Sequence, residues 1–248
     1  MPLHGSVAVV TGGAGGLGRA ICYALAGAGA AVVVGYNSSA EAAEVLAAEL
    51  PEVVQPHAAL RAPVTDSAGL TALAAEISAR YGRCDILVNC AGTTRFVPHA
   101  DLDGLDDALI DQVLSTNVRG PFAATRALVE LLGANGKGVV VNISSIAAIT
   151  AMGSNVMYCA SKAAVDNMTK SLARALAPAI RVVSVSPGLV DTEFVKFMDQ
   201  SWHDEQASRT PLKRLAAPEE IGQAVLAVVQ LGFTTGAIIP VDGGRPLA

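Results

Sequence analysis

Tyr158 and Lys162 stand four residues apart in a segment patterned as a helix, which puts both side chains on one face, one turn apart. A free phenol has a pKa of about 10 and is a poor base near neutral pH, but a nearby ammonium favours the phenolate and lowers that value. Lys162 can supply that charge, so the pair is a candidate unit for moving a proton. An ordinary surface pair has the same spacing, and context has to decide between them. A second candidate site lies near the N-terminus, in Thr11-Gly12-Gly13-Ala14-Gly15-Gly16-Leu17-Gly18. Glycines let the backbone turn sharply and approach a pyrophosphate, and a helix N-terminus adds free N–H groups and positive potential. Spaced glycines are a weak signal alone. A strand before them and a helix through Ile21 and Leu25 after them favour a dinucleotide cradle over a plain Gly-rich turn.

The elements that must position these groups alternate along the whole chain, short β-rich runs with longer Ala/Leu-rich helices. Strands are expected at 6–11, 31–36, 53–59, 85–89, 138–144, 181–186 and 237–241, several of them nearly continuous apolar runs, as for strands covered on both faces. Helices are expected to begin near Gly16, Ala40, Ser67, Leu105, Val118, Asn155 and Pro218. Ser38 with Glu41 reads as a capping box, and Pro218 followed by Glu219 and Glu220 suits a first turn. The alternation implies an α/β fold, a doubly wound parallel sheet with helices on both faces, in one domain over 1–248. Ligands in such sheets bind beyond the carboxyl ends of the strands.

Composition narrows the function classes. Lys and Arg number 17 against 22 Asp and Glu, a net charge of −5, and no basic stripe is present to neutralise phosphates along a nucleic acid. No nucleic-acid partner is expected. Apolar residues make up 52% of the chain, but the longest such stretch, 20–36, is broken by Gly27, Gly29 and Gly35 and reads as a buried helix followed by a strand rather than a membrane span. No charged segment precedes an apolar one at the N-terminus, so a cytoplasmic protein is expected. Cys22, Cys84, Cys90 and Cys159 have neither CxxC spacing nor disulfide-scaffold density and read as small buried thiols.

The spacing of Gly12, Gly16 and Gly18 resembles that of the short-chain dehydrogenase/reductases, and the resemblance extends over essentially the whole chain. Asn89-Cys90-Ala91-Gly92 is similar to the family's NNAG, with Cys90 in place of its second Asn. Asn117 matches the family's catalytic Asn, and Ser145 lies thirteen positions before Tyr158, the family's common Ser-to-Tyr spacing. Pro187, Gly188, Val190 and Thr192 resemble its segment near the nicotinamide, and Val241-Asp242-Gly243-Gly244 its usual ending. The resemblance implies a Rossmann-like fold and hydride transfer between a nicotinamide cofactor and a carbonyl or secondary alcohol. It implies Tyr158 as general acid/base, Ser145 as hydrogen-bond donor to the substrate oxygen, and Lys162 as ribose anchor and modifier of the phenol. Asn117 would hold a water that connects Lys162 to solvent. Ser144 rivals Ser145 for the hydroxyl role. Its other reading is a strand-end residue bonded to local backbone.

Leu17, Val64, Ala91 and Gly92 join the glycines as implied cofactor contacts, with Tyr36, Asn37 and Ser38 at the adenosine ribose. NAD-preferring relatives carry an acid where this chain has Tyr36. Its loss removes a repulsion for a 2′-phosphate, to which Asn37, Ser38 and Ser39 could donate. Against this, no Lys or Arg lies between Ala31 and Leu60, Gly15 stands where NADP-preferring relatives often have a basic residue, and Glu41 is close by. The balance leans to NADP over NAD. Pro63 replaces the family's usual adenine-binding Asp, Asp66 reads as a helix cap, and adenine is expected to rest on the backbone of Val64.

Residues 192–217 correspond to the family's mobile substrate lid. Phe194, Phe197, Met198 and Trp202 there are either simple packing or the apolar wall of a substrate pocket, the latter implying a ketone or alcohol with a hydrophobic body. Arg95 leaves acidic substrates open. Family members that reduce 3-oxoacyl groups on a carrier protein show a basic surface near the helix before the fifth strand, where 128–137 here has one basic residue, Lys137. A non-catalytic dinucleotide-binding protein is the alternative from another class, and the set Asn117, Ser145, Tyr158 and Lys162 argues against it. The resemblance implies a homotetramer built through the helices beginning near Val118 and Asn155.

Overall fold

The computed structural model describes residues 3–192, 195 and 198–247. Its strands are β1 (Val7–Thr11), β2 (Ala31–Tyr36), β3 (Ala58–Arg61), β4 (Ile86–Asn89), β5 (Gly138–Ile143), β6 (Ile180–Pro187) and β7 (Ile238–Val241). They form one parallel sheet in the order β3-β2-β1-β4-β5-β6-β7. The chain winds outward from β1 through β2 to β3, then crosses back to β4 and winds the other way. The crevice where the winding reverses lies between β1 and β4, above their carboxyl ends.

Strand periodicity sorts the core into two faces. Ala8 and Val10 of β1 point to one, with Ile21 and Leu25 of α1 (Gly16–Gly27), Leu46 of α2 (Ala40–Glu49) and Ile221 and Val225 of α9 (Pro218–Gln230). Val7 and Val9 point to the other, with Leu70, Leu73 and Ile77 of α3 (Ser67–Tyr81) and Leu128 and Leu132 of α5 (Gly120–Gly133). Of the further helices α4 (Asp107–Leu114), α6 (Ala147–Thr150) and α7 (Val156–Leu176), the last carries Tyr158 and Lys162, and α8 (Gln200–Ser208) lies in the expected lid.

Several expectations are corrected. The third strand is not 53–59 but Ala58–Arg61, because pairing with β2 begins where Ala58 meets Val33. Pro56 has no N–H to give a ladder, and Val54 is 85% exposed. Ser38 and Glu41 form no capping box. The N-cap of α2 is Ser39, and its side chain makes no capping bond. The helix expected from Leu105 starts at Asp107, capped by Asp106, whose Oδ1 accepts from Leu109 N at 2.8 Å. The helix expected to begin at Val118 is instead continuous with α4 through a widened π turn, Ser115–Arg119. Pro121 explains the turn: it cannot donate to the carbonyl four residues back, so the α ladder is interrupted and Gly120 N bonds Ser115 O instead. Other boundaries move by about one residue, as at Asp85, whose carboxylate accepts from Val7 N at 2.8 Å just ahead of β4. Among the described residues no helix is long and apolar enough to cross a membrane.

Candidate active site

The head of α7 organises the crevice. Asn155 caps it, with Oδ1 accepting from Tyr158 N at 2.7 Å, while Nδ2 donates to Thr94 Oγ1 at 3.1 Å and Arg95 O at 2.8 Å in the loop after β4. One buried amide thereby joins the helix that carries Tyr158 to the loop opposite. One turn on, Lys162 Nζ donates to Ile143 O, at the end of β5, at 2.9 Å and lies 5.6 Å from the Tyr158 ring centroid. Lys162 is buried while Tyr158 is partly open. A long flexible cation held this way is fixed beside the phenol rather than spread through solvent.

Asn117 sits in the π turn and is buried. Its Oδ1 accepts from Thr93 N at 2.8 Å, and its Nδ2 donates to Thr93 O at 3.0 Å and Ser161 Oγ at 3.2 Å. Ser161 in turn donates to Tyr158 O at 2.7 Å. A Cβ on Gly92 would stand 3.5 Å from Asn117 Oδ1 and 3.9 Å from Lys162 Nζ, so the loop after β4 passes directly over the catalytic candidates.

The two serines separate by geometry. Ser144 is buried and donates to Lys162 O at 3.4 Å, behind the crevice. Ser145 is partly exposed, and its Oγ accepts from Ala147 N at 3.2 Å, which leaves its hydroxyl proton free to be donated. Asp166, one turn beyond Lys162, is half buried, and desolvation pushes its carboxyl above the usual range.

On the other side of the switch point the glycine-rich turn is shaped for close approach. Gly12 has φ +66°, and a Cβ there would meet Ala91 Cα at 2.9 Å; a Cβ on Gly18 would meet Gly12 O at 2.2 Å. Helix α1 begins at Gly16 with no side-chain cap, so the amides of Gly16, Leu17 and Gly18 have no acceptor within the helix. Thr11 Oγ1 accepts from Cys90 N at 3.1 Å and Ala91 N at 3.2 Å, lashing this turn to Ala91 and Gly92. Thr192 approaches from a third direction, its Cβ 3.4 Å from where a Gly16 Cβ would be. Pro187 O accepts from Ile146 N at 3.0 Å, and Gly188 packs on the backbone of Asp242.

Other expected contacts turn away from the crevice. The Asn89 side chain is buried and donates to Asn142 Oδ1 at 2.8 Å, between β4 and β5. Val190 is buried in the core, and Val64 packs on Gly120, so both have chiefly backbone to offer a ligand. Asp66 caps α3, accepting from Ala68 N at 3.0 Å and Gly69 N at 3.1 Å. Tyr36 packs on the α1/α2 side of the sheet, followed by exposed Asn37 and Ser38. Arg95 is held by Asp106 at 3.2 Å and by Gly104 O at 3.0 Å, at the rim of an open pocket of about 330 Å³ that Thr93, Thr94, Leu109 and Gln112 also line. In the segment expected to form a lid, Met198 and Trp202 are partly buried, whereas Phe194 and Phe197 lie outside the described residues. Asn155, Ser161 and Thr11 are the site residues that sequence motifs did not single out as functional. A helix was expected to begin near Asn155, but the attachment of its side chain to Thr94 and Arg95 depends on a tertiary contact.

Residues 6–202 match the family model described as short chain dehydrogenase. The chain belongs to the short-chain dehydrogenase family. It is 38% identical, over 97% of its length and 96% of the relative's, to the protein named ketoacyl reductase 2 of the granaticin polyketide synthase of Streptomyces violaceoruber. It is also 38% identical to the cis-4-hydroxycyclohexanecarboxylate dehydrogenase of Sinomonas cyclohexanicum, over 96% of this chain and 95% of that one. A gluconate 5-dehydrogenase from Burkholderia cenocepacia J2315, crystallised with NADP and tartrate, superposes with a TM-score of 0.91 at 30% identity, covering 99% of this chain and 97% of that one. This short-chain dehydrogenase is therefore a nicotinamide-dependent oxidoreductase of small-molecule alcohols and ketones. Its glycine cradle, where side chains would fill the space, and the three free amides of α1 fit the pyrophosphate of such a cofactor.

Proposed function

We infer that this dehydrogenase interconverts a ketone and a secondary alcohol with an apolar body, using NADP in preference to NAD. When bound, the cofactor supplies or accepts hydride at its nicotinamide ring. Tyr158 moves the proton: its hydroxyl gives it to the carbonyl oxygen during reduction and removes it during oxidation. Ser145 donates its free hydroxyl proton to the same oxygen. Lys162 keeps positive charge beside the phenol and reaches the ribose, while Asn117 holds the loop after β4 and lines the solvent path to Lys162. The cradle of Gly12, Gly16, Leu17 and Gly18 takes the pyrophosphate; Ala91 and Gly92, the backbones of Val64 and Val190, and Pro187, Gly188 and Thr192 border the rest, with Asn89 bracing the sheet beneath.

The observation that carries this reading is Lys162, buried and bonded to Ile143 O at 2.9 Å beside the Tyr158 ring, under the loop that Gly92 lets approach. The apolar substrate rests on the engagement of Arg95 by Asp106. The preference for NADP rests on the uncharged Tyr36 and on the Ser39 side chain, which capping does not use. Exposed Phe122 on α5 and Val156 on α7 support the homotetramer, and a cytoplasmic setting accords with four unpaired cysteines. The test is a panel of cyclic and linear ketones, alcohols and a 3-oxoacyl thioester, each with NADPH and NADH. Turnover of apolar ketones with NADPH is expected. Turnover confined to the acyl thioester would overturn the substrate reading, and strong NADH preference the cofactor reading.

A further inference from the structure

Arg61 closes β3 at the carboxyl edge of the sheet and is paired in register with Tyr36, the last residue of β2. The pairing holds to the edge, where Ala62 N donates to Tyr36 O at 2.6 Å. Register partners on neighbouring parallel strands present their side chains to one face, about 5 Å apart. Neighbours identify that face: Ala59 and Tyr36 pack on the core covered by α1 and α2, while Leu60 packs on the opposite one. Ala14 and Leu17 of the glycine-rich turn pack on the same side as Tyr36. Arg61 is exposed, and it makes no hydrogen bond or ion pair with any described residue. Arg19 by contrast, on the same face, is taken up by Glu49 at 2.6 Å.

We propose that Arg61 sets the cofactor preference, its guanidinium pairing with the 2′-phosphate on the adenosine ribose; this rests on the NADP reading above. A planar fork of N–H donors matches a phosphate two bonds at a time. No carboxylate stands at Tyr36 to compete for it. Glu41, exposed in the first turn of α2, brings one negative charge to this edge, which an unpaired guanidinium offsets. The basic group absent from 31–60 is thus supplied from the neighbouring strand, by register rather than by sequence proximity.

Calorimetric titration of the wild-type protein, Arg61→Gln and Arg61→Lys with NADP, NAD, adenosine 2′,5′-bisphosphate and 5′-AMP tests this without turnover. Wild type is expected to favour the 2′-phosphorylated member of each pair. Arg61→Gln should lower that ratio on the order of 10- to 100-fold, and Arg61→Lys by less. The wild-type ratio should also shrink as salt rises. If wild type favours NADP and Arg61→Gln keeps the ratio, the assignment of Arg61 is overturned while the NADP reading stands. An equal weakening of both members, as from stacking on adenine, also overturns it. If wild type shows no preference for the 2′-phosphate, the NADP reading itself fails and Arg61 with it.

Discussion

Replacing Asn155 separates two jobs that one side chain performs. Asn155→Ala removes the cap of α7, a loss of about 1 kcal/mol, and the two bonds from its amide to Thr94 Oγ1 and Arg95 O, at about 0.5–1.5 kcal/mol each, a further 1–3 kcal/mol or so. The sum, about 2–4 kcal/mol, corresponds in a chain of this size to a fall in Tm of about 4–16 °C. Asn155→Ser keeps an oxygen that caps nearly as well, but the shorter side chain cannot span to Thr94 and Arg95. It should recover about 1 kcal/mol of the stability while sharing the kinetic defect of the alanine variant. With the loop after β4 no longer tied to the Tyr158 helix, kcat/KM should fall on the order of 10- to 100-fold, mainly through kcat, because misplacement of reacting groups by about 1 Å is costly. Differential scanning calorimetry and steady-state reduction of a ketone from the substrate panel measure the two effects. A serine variant with wild-type KM and kcat would refute the claim that Asn155 positions the loop, leaving it a helix cap only.

Tyr158→Phe should lower kcat by at least about 10²-fold while cofactor binding, followed by titration, stays near wild type; retention of more than a tenth of kcat would contradict the proton-transfer role. Lys162→Met should weaken both cofactor binding and turnover, since one ammonium is bonded to Ile143 O and placed beside the phenol. Tyr36→Asp should move the preference towards NAD, read as the ratio of kcat/KM with the two cofactors, because a carboxylate repels a 2′-phosphate. Burial pushes the thiols of Cys22 and Cys84 up, so neither should react with maleimide at pH 7.5 until the protein unfolds. Rapid modification of both in the native protein, detected by mass spectrometry, would show that the core around them opens.

Residues related by local geometry were legible in the sequence. The helix repeat puts Tyr158 and Lys162 on one face, and the glycine turn is marked by its place between a strand and a helix, so their placement was legible without tertiary information, while the roles proposed for them come from the family resemblance. The doubly wound sheet was legible for the same reason, since apolar runs alternating with amphipathic helices leave few other ways to bury both faces. What the sequence left open depends on how distant segments register. Ser144 and Ser145 are adjacent in sequence, and only the packing of β5 on α7 turns one of them onto Lys162 O. The third strand slid to Ala58–Arg61 because β2 chose its partners, and that shift is what brings Arg61 beside Tyr36. The π turn at Asn117 follows from Pro121, a signal present in the sequence, but its consequence is tertiary: it aims the Asn117 amide at Thr93 and Ser161, on segments that only the folded chain brings together.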